Sequence, residues 1–237
     1  MNTRLCLAKL ALLAAFAFTA SLQAENNTLT DAEQAAGWKL LFDGHSTVGW
    51  RNFKKSTFPA KGWVVEDGCL KHTRRGGGGD IITDASFDDF EFTFEWRLAP
   101  DSNSGVKYFI TEDRASAIGH EYQLVTPNDP EASTRPTKHV TASFYDVLPT
   151  RMAIKLRPPG QFNESRILVC GHHVEHWLNG EKALEYELGS SEVKAAVAKS
   201  KFKNVPGFGE KLRGHILLQD HGGEVWFRNL KIRVPQP

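Results

Sequence analysis

Ten consecutive residues, Asp89 to Leu98, read Asp-Phe-Glu-Phe-Thr-Phe-Glu-Trp-Arg-Leu. An extended chain sends alternate side chains to opposite faces, so Phe90, Phe92, Phe94 and Trp96 point one way and Glu91, Thr93, Glu95 and Arg97 the other. A helix would spread those four rings around its circumference. The segment therefore demands a sheet with one face packed on a core. Other strand signals recur along the chain, with turn residues between them. Trp63–Glu66 and Cys69–His72 flank Asp67-Gly68, and Val174–Leu178 and Lys182–Tyr186 flank Asn179-Gly180; both dipeptides favour tight hairpins. Ile81–Thr83, Ser165–Cys170, Gly214–Gln219 and Glu224–Val234 add further strands. Helix signals are confined to a capped segment at Thr30–Ala36 and a second at Ser190–Phe202, with Ser191 as its cap. One or two short helices beside about a dozen strands predict an all-β domain of two packed antiparallel sheets, a β-sandwich.

The amino terminus is basic (Arg4, Lys9), continues through an uncharged apolar run from Leu10 to Phe18, and reaches small residues ending at Ala24. This predicts a secretory leader over residues 1–24, a single domain over 25–237, and a periplasmic or secreted product. No segment holds the ~20 apolar residues of a membrane helix. Of 29 basic and 28 acidic residues the leader removes two basic ones, leaving 27 − 28 = −1. Such a balance argues against nucleic acid or an anionic membrane as partner. It says nothing of oligomeric state. Cys69 and Cys170 remain after processing, either paired or as free thiols.

Candidate site residues lie on two short segments. In Asn103-Ser104-Gly105-Val106-Lys107-Tyr108-Phe109, Lys107 alternates with apolar neighbours; in Gly119-His120-Glu121-Tyr122-Gln123-Leu124, Glu121 and Gln123 do the same. An ammonium, a carboxylate and an amide on one sheet face suit a polar ligand such as a sugar. Trp177 shares a face with Glu175 and is a candidate for stacking on a sugar ring. Two long loops rich in proline and charge, 128–140 and 148–163, are expected to be rims or lids.

Other patterns lead elsewhere. His172-His173-Val174-Glu175-His176 has the H-x-x-E-H spacing of a zinc protease, but that motif needs a helix. On a strand its outer histidines stand about 13 Å apart and share no metal. The glycines from Gly76 to Gly79 lack the Lys-Ser/Thr of a phosphate loop and read as a flexible turn. Glu91 and Glu95 are likewise about 13 Å apart, too far for a glycosidase pair. A pairing of Glu95 with Glu121 across strands stays open.

Taken together, the segments resemble one family. Gly37-Trp38-Lys39-Leu40-Leu41-Phe42-Asp43-Gly44 with Gly49-Trp50, then Asn103–Phe109, Gly119–Gln123, Asn163–Arg166 and Trp177–Gly180, follow its order. Gly214–Gly222 and Phe227–Leu230 complete it. The chain is similar to the domain of unknown function 1080, also called the 3-keto-disaccharide hydrolase domain, over residues of about 37 to 235. Phe162 departs from the family's usual Trp, and Thr141-Ala142-Ser143 from a more usual Gly.

The resemblance implies a concanavalin A-like jelly-roll and an exported bacterial protein acting on oxidised glycosides. A ketone at C3 acidifies the C2 hydrogen, so one base can expel the C1 substituent by elimination before water adds back. Glu121 is the expected base and Lys107 the cation at the keto oxygen. His176 or His221 is expected to protonate the leaving group, with Asn103, Gln123, Glu95, Trp177 and Gln219 contacting substrate. No spacing requires a cofactor; a divalent metal such as calcium on Glu95, Glu121 and His221, in place of Lys107, is an alternative electrophile. The rival readings are a noncatalytic carbohydrate-binding module and a scaffold whose polar face is merely solvated. A pocket around Glu121 beside a cation would favour the enzyme.

Overall fold

A computed structural model describes residues 25–134, 138–151, 153, 155–158 and 160–235. The expected leader lies outside the described residues. Two antiparallel sheets pack face to face. The larger has eight strands: β11 (Glu181–Glu187), β10 (His173–Leu178), β9 (Asn163–Cys170), β6 (Phe90–Leu98), β13 (Val225–Arg233), β4 (Cys69–His72) and β3 (Trp63–Glu66), in that order, with β1 (Lys39–Leu40) paired to β13. The smaller runs β2 (Trp50–Asn52), β5 (Ile81–Thr83), β12 (His215–Leu218), β7 (Asn103–Ile110) and β8 (His120–Val125). Both hairpin turns form with left-handed residues, Asp67 at φ 51° with Gly68 at 69°, and Asn179 at 49° with Gly180 at 84°.

Helices are few: α1 (Asp31–Ala35), α2 (Pro130–Thr134) and α3 (Ser191–Val197). The first has the expected Thr30–Glu33 capping box. The third is shorter than its pattern suggested, and its cap is Ser190 rather than Ser191, because Ser190 accepts the Val193 amide. The second lies in a stretch read as loop. Among the described residues no helix is long and apolar enough to cross a membrane. Cys69 is buried and Cys170 exposed, and both are free thiols.

The alternation of β6 is fully used. Phe90, Phe92, Phe94 and Trp96 are at most 1 % exposed and fill the space between the sheets. Phe94 stacks on Phe92 with centroids 5.1 Å apart and meets Tyr122 of the facing sheet edge-on at 5.7 Å. Removing such a ring leaves a cavity that close-packed neighbours cannot fill. We expect Phe94→Ala to lower unfolding stability by about 3–5 kcal/mol, measured by denaturant titration.

The polar groups around Trp96 and His176 in this core are paired. Trp96 Nε1 donates to Ser165 Oγ (2.8 Å), which lies 2.9 Å from the Tyr122 hydroxyl. His176 Nδ1 faces the Ala142 carbonyl at 2.9 Å and its Nε2 the Tyr108 hydroxyl at 3.0 Å. A carbonyl only accepts, so Nδ1 carries the proton. Ala142 holds that carbonyl in place with φ 69°, a left-handed conformation that glycine adopts more cheaply.

The outer face of the larger sheet is closed by charge pairs. Glu91 is gripped by Arg166 and Arg233, and Glu95 by Arg228 and Asn229. The Phe162 ring lies against the Arg97 and Arg228 guanidiniums. The outer face of the smaller sheet is different, and it carries the site.

Candidate functional site

A bulge prepares this face. On β7, Tyr108 and Phe109 together oppose the single residue Ile216 of β12, and Phe109 takes φ 60°. Both rings therefore enter the core, and Ile110 turns outward. There it joins Ile82 and Leu217 in a small buried cluster beneath Phe53 and Ala117. Half of the outer face is thus dry and covered, and the remainder is a cleft of about 440 Å³.

The register lays the cleft floor out as a grid. One row across the sheet reads Ile82, Leu217, Lys107, Glu121. The next outward-facing row reads Asp80, Gln219, Gly105, Gln123, with the Gln219 amide donating to the Gly105 carbonyl and Gly105 paired with Gln123. Ser116–Gly119 and Lys201, Phe202 and Val205 form the walls, with Tyr145, Asn103 and His221 at the margins. Lys201 Nζ stands 4.2 Å from the Tyr145 ring centroid.

Gly105 makes room for the central carboxyl. A Cβ there would come within 2.6 Å of Glu121 Oε1 and 3.1 Å of its Cδ. Glu121 is 6 % exposed, and its Oε2 lies 3.8 Å from Lys107 Nζ. Among the described residues its carboxyl accepts no hydrogen bond. Burial pushes its pKa up, opposed by the charges of Lys107, Lys201 and His221. An acid that is desolvated, unfilled and beside one cation is a basic carboxylate when ionised. The Oε1 atoms of Gln123 and Gln219 are likewise buried without hydrogen-bond partners among the described residues. Two such acceptors call for donors from a ligand, and sugar hydroxyls supply them.

Lys107, Glu121, Gln123, Asn103, Gln219 and His221 are therefore brought together as expected. Three expectations are corrected. His176 is fully buried between the sheets, its burial lowers its pKa to about 4, and both its nitrogens are engaged, so it protonates no leaving group. Glu95 lies on the outer face of the other sheet, bound to Arg228, which rules out both its pairing with Glu121 and a metal shared by Glu95, Glu121 and His221. Trp177 is also on that far face, donating to Glu175 and covered by the Arg166 guanidinium at 4.3 Å.

The cleft also contains residues that periodicity did not reveal. Asp80 precedes β5 and shares its phase with Ile82, whose apolar side chain hides the polar row. Tyr145 and Lys201 come from loops that only folding brings to the sheet. Nor is the run Gly76–Gly79 a loose turn. A Cβ on Gly78 would lie 2.2 Å from the Lys61 carbonyl, so the turn is packed, and it delivers Asp80 to the site.

Elsewhere, His173, Glu175 and Glu185 place ligand atoms within 4.8 Å of one another. Lys182 already bridges both carboxylates, which supplies the positive charge that a metal would bring. A larger cavity of about 870 Å³ opens beside Trp96 and Leu98 and is rimmed by parts of the two long loops. Among the described residues its charged groups Asp101, Lys155 and Arg157 are all exposed, and none is a buried carboxyl beside a cation. Described residues of those loops form the rim of this cavity.

Comparisons with known proteins identify the family and the fold. The family described as the 3-keto-alpha-glucoside-1,2-lyase-like domain matches residues 37–233. A Bacteroides thetaiotaomicron protein named 3-keto-disaccharide hydrolase is 33 % identical, covering 93 % of this chain and 86 % of its own length. A crystal structure from Parabacteroides distasonis, provisionally named a glycosyl hydrolase, superposes with a TM-score of 0.79 at 30 % identity, covering 90 % of this chain and 100 % of that one. A second from the same species has a TM-score of 0.65 at 24 % identity over 84 % of this chain and 99 % of that one, and supports the fold alone.

Proposed function

Because the chain belongs to the 3-keto-alpha-glucoside-1,2-lyase-like family, and is thereby a carbohydrate-processing protein, we propose that it cleaves 3-keto-glycosides with Glu121 as base. One observation carries the assignment: a buried carboxyl with no hydrogen bond among the described residues, 3.8 Å from the Lys107 ammonium on the floor of a sugar-sized cleft.

The chemistry follows from that pair. Glu121 takes the proton from C2, and the C–H electrons form a C2–C3 double bond as the keto oxygen gains charge. Lys107 holds that oxygen, stabilising charge where it develops. Collapse of the enolate expels the C1 substituent, and His221 at the cleft margin gives the departing oxygen its proton. Water then adds to C1 and a proton returns to C2, so the net reaction is hydrolysis. Gln123, Gln219 and Asn103 orient hydroxyls. No cofactor is invoked. The leader read in residues 1–24 extends the proposal to a protein exported to the periplasm or beyond.

The test is incubation with matched 3-keto-glycosides and their unoxidised parents, reading released aglycone. Release from the keto compounds alone supports the reading. Binding without release from either would favour a noncatalytic carbohydrate-binding module.

The space over Gly105 provides a separate check. Gly105→Ala forces the Glu121 carboxyl from its place, so we expect a folded protein whose kcat falls roughly 10- to 100-fold. Steady-state kinetics, with a melting curve as control, reads it.

A further inference from the structure

Resting on that reading, we propose that Asp80 is the specificity-determining carboxylate for the hydroxyl at C4 of the oxidised sugar. The order of strands carries the argument. Glu121 is on β8 and Lys107 on the adjacent β7, while Asp80 leads into β5 on the opposite side of Lys107, beyond β12. A pyranose has C2, C3 and C4 in sequence around its ring. With the C3 oxygen on Lys107 and C2 beside Glu121, C4 must face away from Glu121, towards Gln219 and Asp80.

Asp80 is built to receive a donor there. Its Oδ1 accepts the Asp220 amide at 2.9 Å, which fixes the carboxyl plane. Asp220 is itself held by the Gly79 amide at 3.0 Å and by His72, 3.0 Å away. The second oxygen, Oδ2, has no hydrogen-bond partner among the described residues, and the residue lines the cleft. Lys107 is among the charges that act on both Asp80 and Glu121, consistent with its place between them. A hydroxyl donating to a fixed carboxylate makes a strong, direction-dependent bond, so the configuration at C4 matters. An equatorial hydroxyl in the ring plane reaches sideways to Asp80, and an axial one is directed off that plane.

The test is a substrate–variant cycle on the full-length protein. Wild type, Asp80→Asn and Asp80→Ala are assayed with an aryl 3-keto-glucoside, its 4-deoxy and 6-deoxy analogues, and the 3-keto-galactoside. Asp80→Asn keeps the shape and the Asp220 contact, and melting curves verify folding. We expect both variants to lower kcat/KM on the 3-keto-glucoside on the order of 10- to 100-fold, mainly through KM, while changing the 4-deoxy compound less than threefold. The preference for gluco over galacto substrates should shrink by a similar factor. An equal loss on parent and 4-deoxy compounds would overturn the inference, as would a loss abolished by 6-deoxygenation instead. Calorimetric binding of the same compounds is read in parallel. If wild type binds but turns over none of them, the catalytic reading fails, and the 4-deoxy cycle in binding still decides the role of Asp80.

Discussion

Replacing Glu121 with glutamine should yield a folded protein that binds 3-keto-glycosides nearly as well as wild type and turns them over on the order of 10²–10⁴ times more slowly. The substitution keeps the size of the side chain over Gly105 and removes only its basicity. The loss corresponds to about 3–5 kcal/mol of barrier. Melting temperature and ligand affinity serve as controls, since neither needs a proton acceptor. Wild-type turnover in the folded variant would sink the assignment. The same group sets the pH profile. Its pKa is raised by burial, and it acts when ionised, so kcat/KM should fall as pH drops through a value above the ordinary carboxylate range. That acidic limb belongs to Glu121 and should be missing from any residual activity of Glu121→Gln.

Lys107→Met tests the other half of the pair. The keto oxygen loses the cation that meets its developing charge, so kcat/KM on 3-keto substrates should fall on the order of 10²–10³, while affinity for the unoxidised parent changes little. Lys107 is also the foremost charge holding the Glu121 pKa down against burial. Its removal should move the acidic limb to higher pH. Because both residues serve one transition state, the double variant should lose less than the product of the two single losses. Full additivity, or an equal effect on parent sugars, would show that Lys107 is structural.

These expectations draw on residues of unequal visibility. Lys107, Glu121 and Gln123 were legible because strand alternation assigns a face to every residue, and an ammonium, a carboxylate and an amide are conspicuous among rings. The same rule misled at Trp177 and Glu95. Alternation says which residues share a face but not which sheet owns it, and these two belong to the far side of the sandwich. His176 failed for a related reason. A histidine phased with Val174 and Leu178 is a core residue, and here the Ala142 carbonyl and the Tyr108 hydroxyl, itself paired with Tyr186, form the polar network in which it is buried. Asp80 is hidden because it stands just before a three-residue strand whose outward residue is Ile82.

The sequence by itself determined the all-β class, the two hairpin turns, the inward face of β6 and the family to which the chain belongs. Each follows from local rules: period-two alternation, residues that tolerate left-handed backbone, and motifs in fixed order. Only the tertiary structure decided which polar face is the site. Strand order and register are fixed by contacts between residues as distant as Ile82 and Leu217, and no local pattern encodes them. The bulge at Phe109 and the space above Gly105 belong to the same level. They turn a row of polar side chains into a partly covered cleft in which one carboxyl is desolvated beside one ammonium.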